Sequence, residues 1–367
     1  MVVRKHLKNI KNYQPGKPIE EVKRQLGLKY VIKLASNESP FPPSKRVKDA
    51  LIKNIDSVNR YPDAQGYYLK RDLAKILKVS SESIILGNGS DELIVLAQRA
   101  LVEPGDEVIV GYPTFLIYEI QAKASAINVV RSPLKNYRYD FKDINSRITS
   151  RTKLIFIANP DNPNGTYLKH DEIKDFLDNT PRNIVVFFDE AYFEFAPSDF
   201  PRSIDFLKQG RNIIFSRTFS KAYSLAGLRV GFAVSSLKII EAMNKVREPF
   251  NVNLLAQLAA RASLQDKSYV RKAVEYVIKE KEYLYGELDK LKLDYVKSAT
   301  NFILIDLGDV SSKYVFDNLL KKGVIVREMS SWGFINFIRV TAGKHGENVK
   351  FIKTFKDILR KCKQVKQ

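Results

Sequence analysis

Cys362 is the only cysteine in the 367 residues, which excludes a disulfide framework or a Cys-rich zinc site and fits an inert thiol in a reducing compartment. Histidine is nearly as scarce, at His6, His170 and His345. None lies near the carboxylate-bearing segments described below, so no metal site is expected. No apolar run approaches the roughly 20 residues a spanning helix needs, and the basic stretch Met1 to Ile10 is not followed by the apolar core of a signal peptide. The expectation is a soluble cytoplasmic protein without a membrane partner. Acidic residues are also in deficit, with 61 Lys+Arg against 41 Asp+Glu for a formal charge of +20. The excess concentrates at the ends: residues 1–33 hold nine Lys/Arg and two Glu, and residues 344–367 hold eight Lys/Arg and two acids. A nucleic-acid surface, a field that attracts anionic small molecules, and the ion-rich surface of a heat-adapted protein all fit such a balance. No zinc finger, RNP-like strand or basic heptad helix accompanies it, so a nucleic-acid partner is not expected. The C-terminal charges fall on the wet face of a helix whose apolar positions are Val349, Ile352, Phe355, Ile358 and Leu359.

What is present is a large apolar complement, 44% hydrophobic and 11% aromatic, enough for about two domains. From about residue 66 to 250, short β-branched runs alternate with helical stretches, predicting strands at Ser83 to Leu86, Glu107 to Val110, Ile127 to Arg131, Lys153 to Ala158, Asn183 to Phe188, Asn212 to Ser216 and Val230 to Val234. Several are apolar on both faces (LIFIA, IVVFF), the pattern of strands covered by helices on each side. An α/β fold with a seven-stranded, mostly parallel sheet is the economical architecture. A helical stretch from about Leu254 to Leu291 leads to a small α+β unit, with strands at Asn301 to Leu307, Val324 to Glu328 and Phe337 to Thr341 and helices near 312–322 and 347–361. The division expected is an N-terminal segment, 1–50, belonging to a small domain; a large domain, 51–253; and an interdomain helix with the rest of the small domain, 254–367.

Four loops at strand ends carry residues with chemical potential, where open α/β sheets place their sites. Gly87-Asn88-Gly89-Ser90-Asp91-Glu92 runs from a strand into a helix; its glycines permit close backbone approach, Ser90 or Asp91 can cap the helix, and free N–H groups with the positive dipole end suit a phosphate. It also reads as a plain turn and fits neither the dinucleotide nor the P-loop pattern. Asn159-Pro160-Asp161-Asn162-Pro163-Asn164-Gly165-Thr166 is a rigid turn, either a connector or a device that fixes Asn162 as an oriented amide. Asp189, in Phe188-Asp189-Glu190-Ala191-Tyr192, ends an apolar strand, where an unpaired acid costs several kcal/mol, so it should have a cationic partner. In Ser216 to Phe232, Lys221 follows hydroxyls at Thr218 and Ser220 and precedes Arg229. Hydroxyls with an Arg bind phosphate esters, and a Lys beside a second cation in a partly dry site has its pKa lowered toward an imine-forming neutral amine.

The order GNGSDE, NPDNPNG, DEAYFEF, SRTFSKAYSLAGLRVGF resembles the fold type I, class I/II aminotransferases that use pyridoxal 5'-phosphate (PLP). Tyr13 to Pro18, Leu34 to Pro40, Arg60 to Asp63, Val326 to Glu328 and Ile338 to Thr341 narrow the likeness to the histidinol-phosphate aminotransferase family, from about residue 7 to 361. The resemblance implies a fold type I PLP-transferase architecture, with the small domain built from both chain ends. Lys221 is then the Schiff-base lysine and proton shuttle, Asp189 the partner of the pyridine nitrogen, and Asn162 and Tyr192 the contacts to the ring's phenolic oxygen. Gly89, Ser90, Asp91, Thr218, Ser220 and Arg229 surround the cofactor phosphate, and Phe115 stacks on the ring where relatives often carry tyrosine. Arg339 clamps the substrate's anionic end, with Arg327, Asn37 and Tyr13 in the region that sets specificity. Tyr61 is similar to a tyrosine that reaches a neighbouring subunit's cofactor, implying a homodimer with shared active sites. The substrates implied are histidinol phosphate and glutamate/2-oxoglutarate, in histidine biosynthesis. Asn164, in place of a common threonine, and Met329, where a polar residue is frequent after Arg327, depart from the pattern. An aromatic or other amino-acid aminotransferase and a threonine-phosphate decarboxylase are rival readings within PLP chemistry; a non-catalytic nucleic-acid-binding relative is the rival outside it.

Overall fold

The computed structural model describes residues 3–365. Its strands, in chain order, are β1 (Ile32–Lys33), β2 (Ile84–Gly87), β3 (Glu107–Tyr112), β4 (Asn128–Pro133), β5 (Thr152–Ala158), β6 (Val185–Asp189), β7 (Ile213–Thr218), β8 (Gly231–Val234), β9 (Tyr295–Val296), β10 (Phe302–Asp306), β11 (Val324–Ile325), β12 (Arg327–Glu328) and β13 (Phe337–Thr341). The seven strands read from the apolar runs form one sheet in the order β2-β8-β7-β6-β5-β3-β4. It is parallel except for β8, which runs antiparallel to both β2 and β7. Because β5 and β6 carry apolar side chains on both faces, they feed two cores at once. Ile155, Ile157, Val186 and Phe188 enter one hydrophobic cluster, and Leu154, Phe156, Val185 and Phe187 enter the cluster on the opposite face.

A separate core forms around the four-stranded sheet β12-β13-β10-β9, and it gathers Ile32 and Leu34 from the N-terminal part of the chain with Phe302, Ile338, Phe351 and Phe355. Strand β1 pairs parallel with β11, which ties that N-terminal segment to the C-terminal unit. Two expectations change here. The helix read as continuous from Leu254 to Leu291 is two helices, Leu254–Leu264 and Lys267–Lys290. Asp266 caps the second, its carboxylate accepting from the Tyr269 N–H, so the chain bends where a new N-terminus is satisfied. The first helix packs Ala256, Ala259 and Ala260 into the core of the seven-stranded sheet, whereas the second sends Val277, Leu284 and Leu288 into the other. The strand read over Val324 to Glu328 is also divided, because β11 pairs with β1 and β12 turns to pair with β13. In the last helix, His345–Val365, the apolar stripe is buried at Ile352, Phe355, Ile358 and Leu359, but Val349 is exposed. Among the described residues no helix is long and apolar enough to cross a membrane.

Candidate active site

The carboxyl ends of β5, β6 and β7 and the start of helix Ser90–Leu101 converge on a cavity of about 430 Å³. Residues of β12 and β13 and the segments around residues 13–16 and 35–38 close its other side. Fourteen of the sixteen residues singled out above line it: Tyr13, Asn37, Ser90, Asp91, Phe115, Asn162, Asp189, Tyr192, Thr218, Ser220, Lys221, Arg229, Arg327 and Arg339. Gly89 stands one residue behind the wall, with φ at +79°; a Cβ there would lie 2.5 Å from an Arg229 nitrogen. Tyr61 is elsewhere. Its ring is 82% exposed and stacks on Phe250 with centroids 4.6 Å apart.

Lys221 is the one lysine among the lining residues. Its Nζ lies 3.4 Å from the Ser36 carbonyl oxygen and 5.8 Å from the centre of the Tyr192 ring. Burial first, and then the Arg339 guanidinium, pull its pKa down to about 8, against the opposing pull of Asp91 and Glu38. The second cation expected from the local sequence, Arg229, is the smaller influence, because it is turned toward Asp91 at 3.2 Å and the Ser220 hydroxyl at 3.4 Å.

At the β6 end of the cavity, Asp189 is held by neutral donors. Tyr118 Oη donates to it at 2.8 Å, Ser216 Oγ at 3.3 Å and the Ala191 N–H at 3.3 Å. The cationic partner that its burial called for is not supplied by any described side chain. Three hydrogen bonds keep the carboxylate tolerable in a dry place, yet burial still pushes its pKa up to about 6. Tyr118 was missed in the sequence, where it reads as one more aromatic on helix Ile117–Ala124. The adjacent Glu190 has a different purpose. It accepts from Arg217 at 2.8 Å and from the Ser203 hydroxyl, a buried pair that braces β7.

The opposite end carries the anion-binding groups. Gly89, not Ser90 or Asp91, is the N-cap residue of helix Ser90–Leu101 and offers no side-chain cap, so the first-turn N–H groups there are free of a side-chain acceptor. Asp91 is drawn instead to Arg229. Thr218 Oγ1 donates to Ser220 Oγ at 2.9 Å, fixing the two hydroxyls beside this helix end.

The remaining wall orients two polar tips. Asn162 Oδ1 accepts from Arg339, which leaves its NH2 as the free donor. Asn37, held at φ 55° by a bond from its N–H to Thr341 Oγ1, donates from Nδ2 to Tyr192 Oη at 2.7 Å, so the tyrosine's own proton is free to be donated. Asn37, itself in the cavity wall, thus positions the Tyr192 hydroxyl. Arg339 is 4% exposed and also donates to the Ala35 carbonyl at 3.2 Å, and burial pulls its pKa down to about 10. Arg327 donates to the Gln14 carbonyl at 2.5 Å and stands over the Tyr13 and Trp332 rings.

The model of the family described as aminotransferase class I and II matches residues 29–355. The chain is 45% identical over 358 residues to a histidinol-phosphate aminotransferase of Moorella thermoacetica, covering 97% of this chain and 92% of that protein. It is 44% identical to histidinol-phosphate aminotransferase 2 of Carboxydothermus hydrogenoformans, covering 98% and 99%. Among solved structures, the histidinol-phosphate aminotransferase of Sinorhizobium meliloti in complex with PLP superposes with a TM-score of 0.90 at 26% identity, over 98% of both chains.

Proposed function

The chain belongs to the class I and II aminotransferase family, and on that premise we propose that it transfers the amino group of histidinol phosphate to 2-oxoglutarate, forming glutamate, and the reverse, using PLP, in the cytoplasmic synthesis of histidine. The observation that carries this reading is one cavity shared by an amine drawn down toward neutrality, Lys221, and two buried guanidinium groups, Arg327 and Arg339. The residues fit the cofactor. Asp189 is a buried carboxylate with neutral partners, matched to a protonated ring nitrogen. Gly89 leaves Arg229 room beside an uncapped helix end suited to the phosphate. Asn162 and Tyr192 would donate to the ring's phenolic oxygen, and Phe115 would cover a ring face.

When bound, PLP supplies an electron-accepting ring that takes up charge as the substrate's Cα–H bond breaks. Lys221 Nζ would anchor the cofactor, and its amine, drawn toward neutrality, is placed to hold the proton of the substrate's amino-bearing carbon. Arg339 and Arg327 fix the substrate's anionic end; a guanidinium fork accepts phosphate or carboxylate alike, so one pocket serves both amino donors. Tyr61, with the exposed Val58, Tyr67, Tyr68 and Phe250 near it in sequence or contact, belongs to a two-fold interface and reaches the partner's site. In this reading residues 51–253 form the cofactor-binding domain, residues 1–50 and the C-terminal part form the small domain, and the chain crosses between them within 254–290.

The test offers single amino donors and measures glutamate formed from 2-oxoglutarate. Histidinol phosphate should be a good donor and histidinol without its phosphate far weaker, and Arg339→Ala should impair reaction with histidinol phosphate. A preference for phenylalanine or tyrosine would make the protein an aromatic aminotransferase, and carbon dioxide released from threonine phosphate would make it a decarboxylase. The phosphate cradle has its own check. Gly89→Ala places a methyl group against Arg229 in a left-handed backbone position, so dialysis should strip PLP from that variant at least tenfold faster than from the native protein. Equal retention would remove Gly89 and Arg229 from the cradle.

A further inference from the structure

Three carboxylate-bearing residues line the cavity, Glu38, Asp91 and Asp189. Two are committed, Asp91 to Arg229 and Asp189 to Tyr118, Ser216 and the Ala191 N–H. Glu38 differs. Its Oε1 accepts from Lys33 at 2.9 Å, Oε2 has no protein hydrogen-bond partner among the described residues, and the side chain is 44% exposed. The backbone beside it is fixed, because Asn301 Nδ2 donates to the carbonyls of Asn37 and Glu38 at 2.9 and 3.4 Å and Asn37 is locked to Thr341 and Tyr192. The Lys33 ion pair restrains the carboxylate, and Glu38 lines the same cavity as Lys221.

Histidinol phosphate carries two arms on its amino-bearing carbon. With the amine at Lys221, the phosphate arm belongs with the guanidinium groups of Arg327 and Arg339. The other arm ends in an imidazole, a ring with an N–H to donate. We propose that Glu38 is the specificity-determining residue for that arm, its free carboxylate oxygen accepting the imidazole N–H while Lys33 holds the other oxygen. Lys33 restrains the carboxylate through one oxygen and leaves the other uncommitted. A hydrogen bond to a charged acceptor discriminates strongly against a ring that cannot donate, because the acceptor would otherwise be desolvated without a partner. This inference rests on the histidinol phosphate reading given above.

The experiment pairs two substrates that share amine and phosphate and differ in the ring: histidinol phosphate and phenylalaninol phosphate, each with 2-oxoglutarate and holoenzyme. The quantity read is the ratio of kcat/KM for the imidazole substrate to that for the phenyl substrate, from which folding and cofactor loading cancel. Glu38→Gln, which keeps an acceptor but loses the charge, should lower the ratio about tenfold, and Glu38→Met, which loses both, by more. Glu38→Asp, which keeps charge but withdraws the oxygen, should also lower it and serves should the other variants fail to fold. Lys33→Met retains the carboxylate and should hold most of the native ratio. An unchanged ratio in the Glu38 variants, including equal loss with both substrates, overturns the proposal. A native enzyme that ignores histidinol phosphate overturns the parent reading instead, and this one with it.

Discussion

Lys221→Ala is expected to lower transamination by on the order of 10⁴-fold, the upper range for a positioned acid–base group, with covalent anchoring of the cofactor lost as well. No other lysine lines the cavity among the described residues, and the neighbouring cations are guanidinium groups, which do not give up a proton near neutral pH. Lys221→Arg, which restores the charge, should therefore fail equally, separating a need for an ionisable amine from a need for positive charge. The fold should survive, since the substitution removes a half-buried ammonium whose partial desolvation is unfavourable in the native state. Borohydride reduction of the native protein followed by peptide mapping locates the anchoring amine directly. Label on a different lysine would end the assignment.

Asp189→Asn should keep the fold and lower turnover by about 10²-fold or more, the scale on which a single preorganised electrostatic contact counts. The amide occupies the same volume among Tyr118, Ser216 and the Ala191 N–H. What it cannot do is hold a ring nitrogen protonated, and with the nitrogen neutral the ring accepts carbanion charge poorly. Burial pushes Asp189 up to about 6, so the side chain is protonated below that pH and ionised above it. The affinity of the cofactor-free protein for PLP should accordingly weaken as pH falls through about 6, a dependence that Asp189→Asn should lessen. Native turnover in that variant would count against the pairing.

The seven-stranded sheet was legible because β5, β6 and β7 are apolar on both faces, a pattern with few alternatives. Strands β1 and β9 were not, since two residues carry no periodicity and their pairing depends on segments distant in sequence. The break at Asp266 had a visible signal, an acidic residue ahead of Lys-Ser-Tyr, but the continuous apolar spacing on either side masked it. Most of the cavity wall was legible from the loops at strand ends. Its electrostatics were less so. Arg229, eight residues on, is the cation that the sequence pairs with Lys221, but Arg339, 118 residues beyond the lysine, exerts more on its pKa because two cores meet there. Tyr118 could not be read at all. Its bond to Asp189 joins positions 71 residues apart, and nothing in the helix that carries it marks that face as functional.

Arg339 is rooted in β13 of the smaller sheet, yet its hydrogen bonds go to Asn162 in the loop after β5 and to the Ala35 carbonyl, both neutral, and its Nε is buried without a partner. The guanidinium is thus stripped of water when the chain folds rather than when a ligand arrives. An anion meeting it finds a cation already dried and aimed, and has only its own hydration to lose. The cost falls on the folded protein, which carries a charge no carboxylate balances, so the strength of the ligand's grip and the fragility of the unliganded fold have a single origin. A phosphate or carboxylate that binds there should act as a structural pin between the two sheets, raising resistance to unfolding as its concentration climbs past its dissociation constant.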